Sequence, residues 1–361
     1  MFLRNLFFMT KFSKKILEWY SKHGRVLPWR GHPDSYAVWV SEIMLQQTRV
    51  ETVIPYFQRW MDRFPEVREL AAATEQQVLS QWEGLGYYNR ARNLHKAARI
   101  VAEKYGGELP RNLTELRKIP GIGRYTVGAI ASMAFGLDAP TLDGNLRRVY
   151  SRVFNVAQPA DSSKGEIILW GLAEKNLPKE HAGDYNQALM DLGALICLPH
   201  NPDCPHCPVK GICKARALGL QDLRPVMKPK IRAPHYIVTA AVIKRNGKIL
   251  LAKRPSKGLL GGMWEFPGGK VENGESLEAC LTREIREELA VGIRVGNPIG
   301  IFQHAYTHFR ITLHAFMCEL TEGEPLAVQA AGLVWVNLAE MNGYPMGKVD
   351  RQIAVHLQKT S

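Results

Sequence analysis

Two carboxylates in this 361-residue chain stand where an acid needs a reason. Glu42 interrupts Tyr36–Leu45 (YAVWVSEIML), a mostly apolar run of helical character. A carboxyl inside such a run must be paired or must keep its proton near neutral pH, and the second property is that of a general acid. A capping or edge position is the plainer alternative. Asp143 lies in Leu142-Asp143-Gly144-Asn145, followed at once by Arg147 and Arg148. Upstream of it runs the glycine-rich turn Pro120-Gly121-Ile122-Gly123. The glycines Gly121 and Gly123 let backbone N–H groups approach an anion at a helix N-terminus, where the partial positive charge favours phosphate. By itself that turn is also an ordinary helix connection.

Cysteine supplies a third cluster. Cys197, Cys204, Cys207 and Cys213 are spaced C-x6-C-x2-C-x5-C, four thiols within 17 residues. Zinc suits four cysteines, but iron–sulfur is the stronger reading of a compact all-sulfur cage. His200, Lys210, Lys214 and Arg216 give the surrounding loop positive charge. Near the other end, Glu284, Glu287 and Glu288 fall close together on one helix turn, hard oxygen ligands of the kind magnesium takes.

Helical patterns carry the first three sites. Lys11–His23 is an amphipathic helix closed by Gly24, and Leu27–Gly31 is a turn presenting Trp29 and Arg30. Gln47 and Thr48 follow the Glu42 helix, and Glu51–Tyr105 stays helical. Its one break is Gly84–Arg90, which exposes Tyr87 as a ring able to wedge between stacked bases. Ser162–Leu177 and Tyr185–Ile196 are further helices, the second running into Cys197. Residues 222–234 are basic and proline-rich, an extended linker. Beyond it the grammar changes to strands. Tyr236–Ile243, an Asn246-Gly247 turn and Lys248–Arg254 form a hairpin. A helix over Ser276–Leu289 and strands at Ile301–Tyr306, Phe309–Leu320 and Leu333–Asn337 complete an α+β domain.

Charge is uneven. Residues 1–234 hold 33 Lys/Arg against 22 Asp/Glu, a net of +11, whereas residues 235–361 hold 14 against 12, a net of +2. A basic first half beside a near-neutral second points the first at a polyanion. No apolar run approaches the length of a membrane span. Met1–Thr10 is too short for a complete signal peptide and lacks a cleavage site, and either Met1 or Met9 serves as the start. A cytoplasmic, nucleoid-associated protein that is not secreted is expected, with its cysteines on metal rather than in disulfides.

Over residues 11–220, roughly, the chain resembles the helix-hairpin-helix DNA glycosylases, the family that includes endonuclease III. Four motifs fall in that family's order: VSEIMLQQT around Glu42, LRKIPGIGRYT, TLDGNLRRV around Asp143, and the four cysteines. The second half resembles the Nudix fold. Gly269-x5-Glu275-x7-Arg283-Glu284-Ile285-x-Glu287-Glu288-x-Ala290-Val291 is the Nudix box with alanine for its last glycine.

The resemblance implies a multidomain protein. An all-α helix-hairpin-helix glycosylase domain (1–221, with a 4Fe-4S cluster in the loop 197–213) is followed by the linker and an α+β Nudix-like domain (235–361). It implies a base-excision-repair glycosylase of the adenine-removing branch, acting as a monomer on double-stranded DNA with A:8-oxoguanine or A:G mispairs and leaving an abasic site. Glu42 would be the general acid and Asp143 the acid facing the sugar. Trp29, Arg30, Leu45 and Gln187 would neighbour the pocket, and Asn145 would bind the substrate DNA. Gln47, Thr48 and Tyr87 would probe the opposite strand, and a loop Phe302-Gln303-His304 would read the lesion. Where a lyase of this family keeps its lysine stands Tyr125, which cannot form a Schiff base. Three alternatives stay open: a Nudix module that also hydrolyses oxidised nucleoside triphosphates with Mg2+, an endonuclease III-like glycosylase/lyase, and a lesion sensor without catalysis.

Overall fold

The computed structural model of the chain describes residues 9–31, 34–229 and 233–360. The tail Met1–Phe8 and residues 230–232 of the expected linker lie outside this range. The chain divides into two compact units, Met1–Ala72 with Asn93–Lys230 and Ala73–Arg92 with Ile231–Ser361.

The first unit is all helical. Thr10 caps α1 (Lys11–His23) by accepting from Ser13 N at 3.1 Å, and Phe12, Ile16 and Trp19 form its buried stripe. Asp34 caps α2 (Ser35–Leu45), whose residues from Tyr36 to Met44 are all buried. A helix apolar on every side sinks into the interior, and it takes Glu42 with it. Then come α3 (Val50–Arg63), α4 (Val67–Ala72), α5 (Glu75–Trp82, in the second unit) and α6 (Asn89–Lys104). The glycine-rich turn separates α7 (Leu113–Lys118) from α8 (Arg124–Met133). The helices α9 (Gly144–Val153), α10 (Ser163–Asn176) and α11 (Ala182–Leu195) pack with α1 around Ile16, Leu146, Tyr150, Leu169 and Leu192. Cys197, Cys207 and Cys213 press against that core, and α12 (Lys214–Ala217) closes their loop.

Two glycines fix close approaches of main chain. A Cβ at Gly128 of α8 would sit 2.0 Å from the Pro140 carbonyl oxygen, and one at Gly193 of α11 would sit 2.6 Å from the Asn145 Cβ. Helix α8 therefore meets the approach to Asp143 backbone to backbone, while α11 rests on the Asn145 side chain at the start of α9. The start of the expected linker is not free: Ala160 N donates to Val226 O (2.8 Å) and Lys228 N to Asp161 (3.0 Å).

Besides α5, the second unit is a mixed sheet between two helices. Its strands are β1 (His235–Arg245), β2 (Lys248–Lys253), β3 (Trp264–Glu265), β4 (Gly292–Ala305), β5 (Arg310–Glu322) and β6 (Gly332–Val336). They run in the order β3-β2-β1-β5-β4, with β6 on β2 and β1 parallel to β5. Leu281, Ile285 and Leu289 of α13 (Leu277–Leu289) cover one face, while Ile353, Ala354 and Leu357 of α14 (Lys348–Thr360) cover the other. Asn246 (φ 52°) and Gly247 (φ 76°) are both left-handed, as a type I′ hairpin demands. Ala290, standing for the glycine of the Nudix box, caps α13 at φ 56°, a conformation in which its Cβ is a cost. One expectation fails here. The strand expected over Ile301–Tyr306 holds within β4, and Phe302-Gln303-His304 is therefore not a loop: its residues alternate between opposite faces of the sheet.

Candidate active site

Helix α2 carries Glu42 to a position only 2% exposed. Burial first, and the nearby charge of Asp143 second, lift its carboxyl to about 7, against a hydrogen bond from Tyr125 and the positive charge of Arg30. Tyr125, on the first turn of α8, donates its phenolic O–H to Glu42 Oε2. One carboxyl oxygen is thereby committed, leaving the other for the proton. Thr141 holds the Tyr125 carbonyl at 3.0 Å, tying α8 to the segment that leads into Asp143.

Asp143 is the N-cap of α9. Its Oδ1 accepts from Leu146 N at 2.7 Å, and Oδ2 accepts from Asn145 Nδ2 at 3.2 Å. Burial raises its pKa, while these bonds and the Arg148 guanidinium oppose the rise. The helix N-terminus favours its negative charge. Arg148 extends the arrangement: it donates to Asn145 Oδ1 (2.8 Å), to Gly193 O (2.7 Å) and to Cys197 O (2.7 Å). A continuous run of hydrogen bonds therefore links the first cysteine to Asp143.

Arg30 does not stand loose in the pocket. Its fork is held bidentately by Asp191 (2.7 and 2.8 Å), which also accepts from Arg25 Nε (2.7 Å) and Arg25 N (2.9 Å). Asp191 is fully buried, and two guanidinium partners compensate its charge. Sequence reasoning passed over both Asp191 and Arg25. An acid on a helix is ordinarily solvated, and the signal of its burial is spread over partners more than 160 positions away.

The remaining expected residues divide. Trp29 is core, packed edge-on against Phe57 at 5.3 Å, and Leu45 is half-buried. Gln187 bonds within its own helix to Gly183 O (3.4 Å). Gln47 (φ 61°) and Tyr87 (φ 49°) are both left-handed without being glycine. Such strain persists where the surroundings impose it, often at ligand-contacting positions. Gly121 is left-handed at φ 81°, and the space at Gly123, the uncapped start of α8, is open for a backbone approach. In the second unit Phe302 and His304 face α14, with Phe302 edge-on to His356. The exposed turn is Tyr306–Phe309, between β4 and β5, and the Tyr87 hydroxyl bonds Thr307 Oγ1 there.

The four cysteines are unpaired and line one pocket with Val149, Leu192, Ile196 and Val209. Arg152, 2% exposed, places Nη1 3.4 Å from Cys197 Sγ. Burial pushes the Cys207 thiol up to about 12 and raises those of Cys204 and Cys213, so a cationic centre is needed to hold these three as thiolates. The acids of the Nudix box are arranged differently. Arg283 binds Glu275 (2.9 Å), Glu284 (2.9 Å) and Glu287 (3.5 Å), while Glu288 accepts from Gly268 N (3.3 Å). Among the described residues no group of three or more His, Cys, Asp or Glu side chains is placed to hold a single metal ion.

Comparison with known proteins supplies names for what this chain is similar to. Residues 40–175 match the model for HhH-GPD superfamily base excision DNA repair proteins, and residues 238–356 match the NUDIX domain. Adenine DNA glycosylase of Rattus norvegicus is 35% identical, over 92% of this chain and 75% of its own length. That of Buchnera aphidicola (subspecies Acyrthosiphon pisum) is 34% identical, over 91% and 93%. Among solved structures, a thermostable thymine-DNA glycosylase aligns with TM-score 0.53 and 30% identity, over 57% of this chain and 95% of its own. Endonuclease III in a non-covalent DNA complex (TM-score 0.50, 23% identity, 58% and 95%) shares the fold.

Proposed function

Since the chain belongs to the adenine DNA glycosylases, base-excision-repair enzymes that hydrolyse the bond between adenine and its sugar, we propose that it acts on adenine opposite 8-oxoguanine or guanine in duplex DNA, with Glu42 and Asp143 as its catalytic pair. The observation that carries this reading is the Glu42–Tyr125 hydrogen bond, made by a buried carboxyl held at about 7 and influenced by the charge of Asp143.

The adenine leaves the stack, at a cost of about a few kcal/mol and less for a mispair. Glu42, about half protonated at neutral pH, donates through its free oxygen to N7 of the base, which departs neutral. The sugar left behind is oxocarbenium-like, and Asp143 supplies the opposing charge as an electrostatic partner or a transient covalent one. Its two oxygens are already oriented by Leu146 N and Asn145. Water completes the exchange with Glu42 now the base. Tyr125 has no amine, so the reaction stops at an abasic site. The turn at Gly121 and Gly123 takes a backbone phosphate on the open N-terminus of α8. Tyr87 and the Tyr306–Phe309 turn that it touches are the segment proposed to meet the base opposite the adenine.

Cys197, Cys204, Cys207 and Cys213 fit an iron–sulfur cluster better than one zinc ion. They line a shared pocket, and the raised pKa of the half-buried Cys204, Cys207 and Cys213 thiols calls for a cationic partner. Bound there, a 4Fe-4S cluster would cross-link the loop that Arg148 and Arg152 fasten to α9. The Glu284, Glu287 and Glu288 carboxylates do not fit Mg2+ as they stand, because Arg283 holds two of them. No step is assigned to that ion. Action as a monomer in the cytoplasm is part of the proposal, and the net charge of +11 over residues 1–234 supports DNA as the partner.

Single-turnover adenine release from A:8-oxoguanine, A:G and oxidised-pyrimidine duplexes tests the reading. Release from the first two and none from the third is expected. Near wild-type release by Glu42→Gln or Asp143→Asn, with DNA binding intact, would refute the assignment.

A further inference from the structure

One face of the sheet in the second unit is only partly covered. Alternation and register put His235, Ile237, Ala241 and Ile243 of β1 on it, with Arg310, Thr312, Phe316 and Cys318 of β5. Toward the far end α13 buries this face, with Ala241, Ile243, Phe316 and Cys318 in its core. At the near end nothing of the described chain does so. Ile237 is 45% exposed, and Ile301 of β4 is 63% exposed.

Here Ala305, Arg310 and His235 form one row across three strands, and Gln303, Thr312 and Ile237 form the next. An open pocket of about 360 Å3 lies over these rows, and among the described residues no carboxylate lines it. His235 Nε2 and Thr312 Oγ1 are 3.0 Å apart, so the imidazole is already oriented. A guanidinium, an imidazole, an amide and a hydroxyl face the same space without an acid. Such a donor set is complementary to an anion with several oxygens, and the flanking isoleucines add an apolar surface for a sugar. Directly beyond Arg310 is the Tyr306–Phe309 turn that touches Tyr87.

We infer that Arg310, His235 and Gln303 bind a phosphodiester of the DNA backbone, so that this sheet face continues the nucleic-acid contact begun at the β4–β5 turn. The inference rests on the proposed action on duplex DNA. Gln303 then serves on the backbone, on the face opposite Phe302 and His304.

The test uses the full chain and a duplex carrying a non-cleavable 2′-fluoro-deoxyadenosine opposite 8-oxoguanine, with Kd measured between 50 and 200 mM KCl. Losing one phosphate contact flattens the log Kd against log salt slope by about 0.9. Arg310→Ala should therefore lose roughly threefold more affinity at 50 mM than at 200 mM. Arg310→Lys, which keeps the charge, should restore the slope. An unaltered slope in a folded Arg310→Ala protein overturns the inference. So does competition of duplex by dGTP that Arg310→Ala abolishes without changing the slope, since the pocket would then serve free nucleotides. Adenine release by the wild-type chain tests the underlying reading separately.

Discussion

Glu42 in the helical unit and Asp350 in the sheet unit are both buried acids that burial inclines to keep their protons. Their partners set them apart. Glu42 receives an O–H from Tyr125, is influenced by the charge of Asp143, and has one oxygen uncommitted. Asp350 accepts the backbone N–H of Phe266 (3.1 Å) and so fastens the start of α14 to β3. Nearby Glu265 is ion-paired with Arg254 at 2.8 Å. A retained proton therefore does not mark a catalyst by itself. What marks Glu42 is a free oxygen beside a second acid that can face a developing cation.

Substitutions can break or sharpen that contrast. The largest expected effect is on chemistry. Glu42→Gln and Asp143→Asn should each lower single-turnover adenine release by about a thousandfold or more, whereas Asp350→Asn should leave it within about twofold. Equal losses at all three would erase the distinction.

Stability gives the next contrast. The folded pKa of Glu42 lies above its unfolded value near 4.5, so the folded state binds the extra proton and stability falls as pH rises from about 4.5 to about 7. Replacing it with glutamine should gain up to about 3 kcal/mol at pH 8 and almost nothing at pH 4. Asp350→Ala should instead lose about 1–3 kcal/mol at pH 4 by stranding the Phe266 N–H, a loss that relief of the buried charge offsets toward pH 8. Chemical denaturation of both variants at the two pH values separates the cases.

Tyr125→Phe has a smaller effect. The phenol stabilises the ionised form of Glu42, so its removal raises that pKa further and moves the falling limb of the pH–rate profile upward. A rate change of about tenfold is expected, and an unmoved limb would show that the bond is not made in solution. The smallest effect is expected at Glu287→Gln, which should alter neither adenine release nor any magnesium-dependent release of pyrophosphate from dGTP. A pyrophosphate signal in the wild type that this change removes would make the Nudix box a second catalytic centre.

Local chemistry was readable where it left a local mark. Glu42 could be picked out because an acid in an otherwise apolar helix must be explained, and the Asn246-Gly247 hairpin because only left-handed residues make that turn. Partners distant along the chain left no such mark. Tyr125 reaches Glu42 across 83 positions, and Asp191 meets Arg30 across 161. In the sequence Tyr125 stands out for the lysine it replaces, not for the carboxyl it binds. The loop that the resemblance implies at Phe302-Gln303-His304 conflicts with the strand pattern over Ile301–Tyr306, and the strand prevails. In β4 the alternation divides the three residues between two faces.

The approach of Gly128 to the Pro140 carbonyl bears on how this site tolerates change. The spacing between α8, which carries Tyr125, and the segment leading into Asp143 is set by main chain resting on main chain. A hydrophobic exchange in the surrounding shell can then alter melting behaviour while the catalytic gauge stays true. One methyl group at position 128 does the reverse, prising the two segments apart and detuning the acid pair without touching either member. A library screened for heat resistance should accordingly drift freely around this joint and return glycine at the joint itself.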